Sequence, residues 1–224
     1  MIFRDRTEAG QILAAEIARL ELADPVVLAL PRGGVPVGAA VAEALSAPLD
    51  LLIVRKVGAP GNPELAVAAI IDGDPPDVVL NRSIVEAYGL DEAEVAQLIK
   101  RERPELARRR EAYRGSRRPL SVRGKSVIIV DDGAATGATM KAALRALRHR
   151  GPREIVVALP VAPPDTIEDL RAEADRLVCL SQPLNFRALS LHYRSFLQLD
   201  DGEVQGTLLA FAREHAKRIR ERKE

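Results

Sequence analysis

Hydrophobic positions along the chain change period repeatedly, and the changes predict helices alternating with strands. Between residues 11 and 22, Ile12, Leu13, Ile17 and Leu20 recur at helical spacing and predict an amphipathic helix that Asp24-Pro25 ends. Val26-Val27-Leu28-Ala29-Leu30 is apolar at every position, which predicts a strand buried on both faces. Pro31-Arg32-Gly33-Gly34 leads into a helix with Pro36 in its first turn, where a missing N–H costs little. Val37, Val41 and Leu45 repeat along that helix, and residues 49–54 predict a second buried strand.

The same unit returns later. Residues 126–130 predict a strand and 131–138 a loop. A helix is expected over 139–150, apolar at Met140, Ala143, Leu144 and Leu147 and stopped by Gly151-Pro152. Strands are expected at 155–159 and 176–180, around a helix at 166–174. This alternation calls for an α/β fold, a mainly parallel sheet flanked by helices. Residues 67–71 and 78–80 flank Asp72-Gly73-Asp74-Pro75-Pro76-Asp77 and predict a hairpin.

Residues 81–118 differ in kind. Asp91 and Glu94 form a capping box before Val95, Leu98 and Ile99. Arginines then crowd in at 101, 103, 108, 109, 110, 114, 117 and 118. This predicts an arginine-rich helical insertion between the second and third parallel strands of a single domain spanning 1–224. A helix over about 203–220 is expected to pack back, making 183–224 a small hood.

Composition narrows the classes. With 224 residues, 47% hydrophobic content and a formal charge of +1, the chain reads as one soluble globular core. No apolar stretch approaches the roughly 20 residues that span a bilayer. Charge in Met1-Ile2-Phe3-Arg4-Asp5-Arg6 stands where a signal peptide needs its apolar region. A single cysteine, Cys179, excludes an internal disulfide and fits the cytoplasm; inside an apolar strand it reads as core. His149, His192 and His215 are without zinc spacing, and neither a P-loop nor a Gly-x-Ser-x-Gly elbow is present. Glu102, Glu105 and Glu111 interleave with the arginines, without aromatic residues for base stacking, which argues against a nucleic-acid partner.

Chemistry concentrates in Val127-Ile128-Ile129-Val130-Asp131-Asp132-Gly133-Ala134-Ala135-Thr136-Gly137-Ala138-Thr139. A buried strand delivers two carboxylates to the carboxyl edge of the sheet, where open α/β sheets bind ligands. Small residues let the backbone close on a ligand, and the following helix directs unpaired N–H groups into the same space. Physically this is a phosphate cradle beside a diol binder.

The segment closely resembles the 5-phosphoribosyl-1-pyrophosphate (PRPP) signature of type I phosphoribosyltransferases: four apolar residues, two acids, four variable positions, then Thr-Gly-x-Thr. The resemblance implies that Asp131 and Asp132 hold the ribose hydroxyls and that Ala134, Ala135, Thr136, Gly137, Ala138 and Thr139 wrap the 5-phosphate. It implies a pyrophosphate loop at Arg32, Gly33 and Gly34, often with a cis peptide, here between Pro31 and Arg32. Arg55-Lys56 resembles the basic pair that adenine-type members use near pyrophosphate. Magnesium would bind through substrate and water near Asp131 and Asp132, without direct protein ligands.

Members acting on 6-oxopurines usually carry an acid where this chain has Ala135, so the pattern is closer to the adenine type. The usual lid segment has no counterpart; part of the insertion, its arginines repelling one another, is expected to order over PRPP instead. The implied activity is transfer of a phosphoribosyl group to a nitrogen nucleophile, such as a nucleobase, with release of pyrophosphate. The alternative is a non-catalytic PRPP or nucleotide sensor. The acceptor, the general base and any homo-oligomer are not legible in the residues.

Overall fold

The computed structural model describes residues 1–73, 76–115 and 117–221. In chain order its elements are α1 (Arg6–Ala18), β1 (Pro25–Ala29), α2 (Gly34–Leu45), β2 (Leu49–Leu51), β3 (Val54–Ala59), β4 (Asn62–Ile71) and β5 (Asp77–Leu80). Then come α3 (Arg82–Ala87), α4 (Glu92–Arg114), β6 (Ser126–Val130), α5 (Ala138–Arg148), β7 (Glu154–Val161), α6 (Pro164–Arg171), β8 (Arg176–Ser181) and α7 (Asp201–Glu221). Five strands form a parallel sheet in the order β2-β1-β6-β7-β8. Its central strand β6 is buried at every residue, as its uninterrupted apolar run requires.

The first helix starts earlier than its large apolar residues predict, because Asp5 caps it: the carboxylate accepts from the Glu8 amide at 2.8 Å. Ile12 is 38% exposed, and the buried stripe runs through Ala9, Gly10, Leu13, Ala14 and Ile17. A side chain at Gly10 would stand 2.6 Å from the Val37 carbonyl, so this glycine allows α1 to lie directly on α2. Small residues set the interface, and spacing of large ones misses it.

Residues 49–54 do not make one strand. The chain leaves the parallel sheet after Leu51 and enters a separate antiparallel sheet, β3-β4-β5, at Val54. Leu51, Leu52, Ile53 and Val54 are all buried, so hydrophobicity runs unbroken across the transfer. The antiparallel pairing of β4 with β5 agrees with the expected hairpin, though β4 begins earlier, at Asn62. Asp74 and Pro75 of that turn lie outside the described residues.

Helix α4 starts at the predicted capping box: Asp91 accepts from the Glu94 amide at 2.8 Å, and Glu94 accepts from the Asp91 amide at 2.9 Å. Four of its arginines stand beside acids, where the sequence suggests a mutually repelling set. Arg108 and Arg109 each donate to Glu105 at 2.8 Å, and Arg110 lies 3.6 Å from Asp72. Arg114 is buried, bonded to Asp72, to Asp50 at 2.9 Å and to the Leu51 carbonyl at 2.7 Å. One guanidinium thus staples the insertion to both sheets.

Removing Arg114 takes the buried cation from Asp72 and leaves only the more exposed Arg110, 3.6 Å away. Arg114→Leu is expected to cost about 3–5 kcal/mol, the penalty for breaking a buried ion pair from one side. The shift of the urea midpoint measures it, and Arg108→Ala, at an exposed pair, should leave the midpoint nearly unmoved.

Candidate active site

Strands β1 and β6 are parallel neighbours in register from Pro25↔Ser126 to Ala29↔Val130. Their following loops therefore leave the carboxyl edge side by side, and the Leu30 amide donates to the Val130 carbonyl at 2.9 Å. The loops then touch more closely than any side chain permits. A Cβ on Gly33 would stand 2.0 Å from Asp132 Oδ2, and one on Gly34 would stand 2.7 Å from the Val130 carbonyl. The Pro31–Arg32 peptide bond is cis. The glycine loop and the acid pair, read separately in the sequence, form one surface.

Asp132 is held on several sides. Arg6 Nε donates to its Oδ2 at 2.8 Å, and the Tyr193 hydroxyl donates to its backbone carbonyl at 2.6 Å. The Asp132 amide in turn donates to Asp131 Oδ1 at 2.8 Å. Burial first, and then the negative charge of Asp132, push the Asp131 carboxyl well above its ordinary value. Burial also raises the Tyr193 phenol, which keeps it a donor.

After the acids, Gly133 takes φ 149°, and a side chain there would meet Leu189 at 2.2 Å. Gly137 turns the chain at φ 66° in the left-handed region, and α5 begins at Ala138, one residue before the expected Thr139. Gly137 supplies no side-chain cap; the Ala138 amide makes a long, 3.4 Å bond to the Thr136 hydroxyl, and the other N–H groups of the first turn are left uncapped. Ala135, Thr136 and Thr139 are exposed beside it. Ala134 is placed differently: it is buried, and its amide donates to the Val161 carbonyl at 3.0 Å. The Ala135 carbonyl is fixed by the Thr166 hydroxyl at 2.7 Å.

This geometry has relatives. The model of the phosphoribosyl transferase domain matches residues 6–194. The chain belongs to the phosphoribosyl transferase family. It is 44% identical over 203 residues to "Putative phosphoribosyl transferase Rv0571c" of Mycobacterium tuberculosis strain H37Rv, and equally to the counterpart in strain CDC 1551. Those matches cover 91% of this chain but 45% of the relatives, so the chain spans about half their length. The crystal structure of TT1426 from Thermus thermophilus superposes with a TM-score of 0.87 at 44% identity, covering 94% of this chain and 99% of that one.

Within this phosphoribosyl transferase domain the basic residues are spread out. Arg32 Nη1 points toward Asp201 at 3.9 Å. Arg55 and Lys56 stand on β3, in the second sheet and not at the end of a parallel strand, and Arg55 Nε donates to Glu102 at 2.5 Å. Tyr193 and Phe196 around Asp132 lie outside the signature and carry no periodic signal, and Arg6, in Phe3-Arg4-Asp5-Arg6, has nothing in the sequence to tie it to Asp132. Cys179 is partly buried with its thiol 3.3 Å from the Ser181 carbonyl, and burial raises its pKa, which suits packing more than nucleophilic work.

The raised carboxyl has a signed consequence for stability. Above 3.8, the ordinary value for Asp131, the folded chain keeps a proton that the unfolded chain has lost. Folding is therefore weakened progressively as pH rises through that window. Asp131→Asn removes the ionisation and keeps the acceptor oxygen. The variant should melt at a higher temperature than the parent at neutral pH, and the gap should close as pH falls toward 3.8 in a thermal-denaturation series.

Proposed function

We propose that this chain transfers the phosphoribosyl group of Mg-PRPP to a nitrogen nucleophile, a nucleobase or related compound, and releases pyrophosphate. The observation that carries the reading is the contact of Gly33 with Asp132, which makes a glycine loop, an acid pair and an uncapped helix start one continuous surface. Those three parts match the three polar parts of PRPP. Backbone N–H groups at the start of α5, with Thr136 and Thr139, suit the 5-phosphate. Asp131 and Asp132 suit the ribose hydroxyls, and Arg32 with Gly33 and Gly34 suits the pyrophosphate. Ala134 would shape the turn instead of donating its amide to phosphate, since that amide is committed to Val161. Arg55 and Lys56 would contribute charge from the second sheet.

In the reaction the ribose C1–oxygen bond breaks and pyrophosphate leaves with the electron pair, while the acceptor nitrogen bonds to C1 and gives up its proton. The acids act by position and by field on the cationic sugar that develops. Two adjacent carboxylates offer the hard oxygen donors that magnesium prefers. Magnesium, held through water at Asp131 and Asp132 and through substrate oxygens, would neutralise the leaving group. Ala135 in the signature favours an adenine-like acceptor over a 6-oxopurine.

Replacing both acids removes the ionised acceptors, each charged hydrogen bond being worth about 1.5–3 kcal/mol. Calorimetry with Mg-PRPP should find Asp131→Asn/Asp132→Asn binding at least about a hundredfold more weakly than the parent. An affinity equal to the parent's would remove the assignment. Pyrophosphate release across a panel of nucleobases tests turnover, and tight binding without release for any acceptor would favour the sensor.

A further inference from the structure

The structure assigns Arg6 as a positioning residue for ribose recognition, one that fixes the orientation of the Asp132 carboxylate; the inference rests on the PRPP reading above. Arg6 and Asp132 are 126 positions apart in sequence, yet Arg6 Nε meets Asp132 Oδ2 at 2.8 Å. Both side chains are nearly enclosed, at 11% and 10% exposure, so solvent screens the pair little. The guanidinium is itself immobilised. Its carbon lies 3.9 Å over the centre of the Phe196 ring, and Nη1 donates to the Leu197 carbonyl at 2.9 Å.

The backbone beneath Arg6 is equally constrained. Arg6 is the first residue of α1, which Asp5 caps and which Gly10 seats on α2. Phe3, just ahead of it, bridges to Tyr193, whose hydroxyl holds the Asp132 carbonyl. On the other side Gly33 lies flush against Oδ2. Oδ2 is therefore engaged by Arg6, and the glycine loop crowds both oxygens, a Cβ on Gly33 standing 2.0 Å from Oδ2 and 2.7 Å from Oδ1, so the carboxylate has little room to turn. A recognition oxygen needs this kind of support, because a carboxylate free to rotate loses the orientation on which affinity depends.

Ligands with and without the sugar should respond differently to the loss of this support. Arg6→Gln should weaken Mg-PRPP and ribose 5-phosphate about tenfold or more in calorimetry, the scale of one charge-assisted hydrogen bond. Pyrophosphate without magnesium, which carries neither the ribose nor the metal that the acids would hold, should bind Arg6→Gln and the parent alike. Arg6→Lys, which restores the charge without the fork, should recover part of the loss. Phe196→Leu, which only loosens the guanidinium, should show a smaller loss in the same two ligands and serves if Arg6→Gln does not fold. Equal weakening of pyrophosphate would mean a general structural role and overturn the inference. Unchanged PRPP affinity would overturn it, and so would tighter binding, which would make Arg6 a competitor of the sugar. A parent protein that binds no PRPP at all would instead remove the functional reading and this inference with it.

Discussion

Two carboxylates at the end of one buried strand repel each other, and much of the surrounding structure bears on that repulsion. Asp131 and Asp132 stand where β6 leaves the sheet, with glycine backbone packed against them; Asp132 is buried and Asp131 partly so. Such a pair persists only if its charge is met locally. Arg6 meets it at Asp132, whereas the Asp132 amide only partly offsets it at Asp131, whose carboxyl stays raised. The rest follows from delivering Arg6. Its helix must start at Asp5, lie on α2 through Gly10, and be bracketed by the 193–197 segment through Tyr193 and Phe196. Residues at both ends of the matched domain are thus drawn to its middle by one charge.

The second sheet poses a different problem, since β3 to β5 and α4 make up a large excursion between two strands of the parallel sheet. Burial of Val57, Val67, Ile70, Leu106 and Tyr113 supplies adhesion without direction. Direction comes from Arg114, which reaches Asp50 on β2 and Asp72 just beyond β4. Buried ion pairs contribute little net stability, but a misplaced one is costly, so this pair selects one docking of the insertion over others.

Legibility in the sequence tracks how local each determinant is. The β6 loop reads clearly because its strand, acids, glycines and helix start are consecutive. The capping box at Asp91 and Glu94 reads for the same reason. The break between β2 and β3 is hidden, since Leu51 to Val54 is equally apolar in either sheet. Ile12 misleads because a large residue on the exposed face mimics the buried one, while Gly10 and Ala14 carry the packing. Arg55 looks like a strand-end cation until folding places Glu102 beside it. Arg6 has no periodic or spacing signal, because its partner is named only by the fold.

The two joints between the insertion and the parallel-sheet domain differ in stiffness. At Arg114 the charges are buried and multiply bonded. At Asp201, the first residue of α7, Arg32 of the glycine loop converges with Arg108 and Tyr113 of α4 on one carboxylate. That carboxylate and its cations are partly exposed, and exposed pairs in water are weak and exchange partners readily. The acid pair therefore stands beside both kinds of joint. Asp132 is locked from beneath by enclosed contacts, whereas the arginine above the glycine loop is held by one that water and ions can replace. Under the proposed reading, a site that orients a sugar and still releases a diphosphate would use this asymmetry: rigidity at the ribose, and a weaker hold where the leaving group departs.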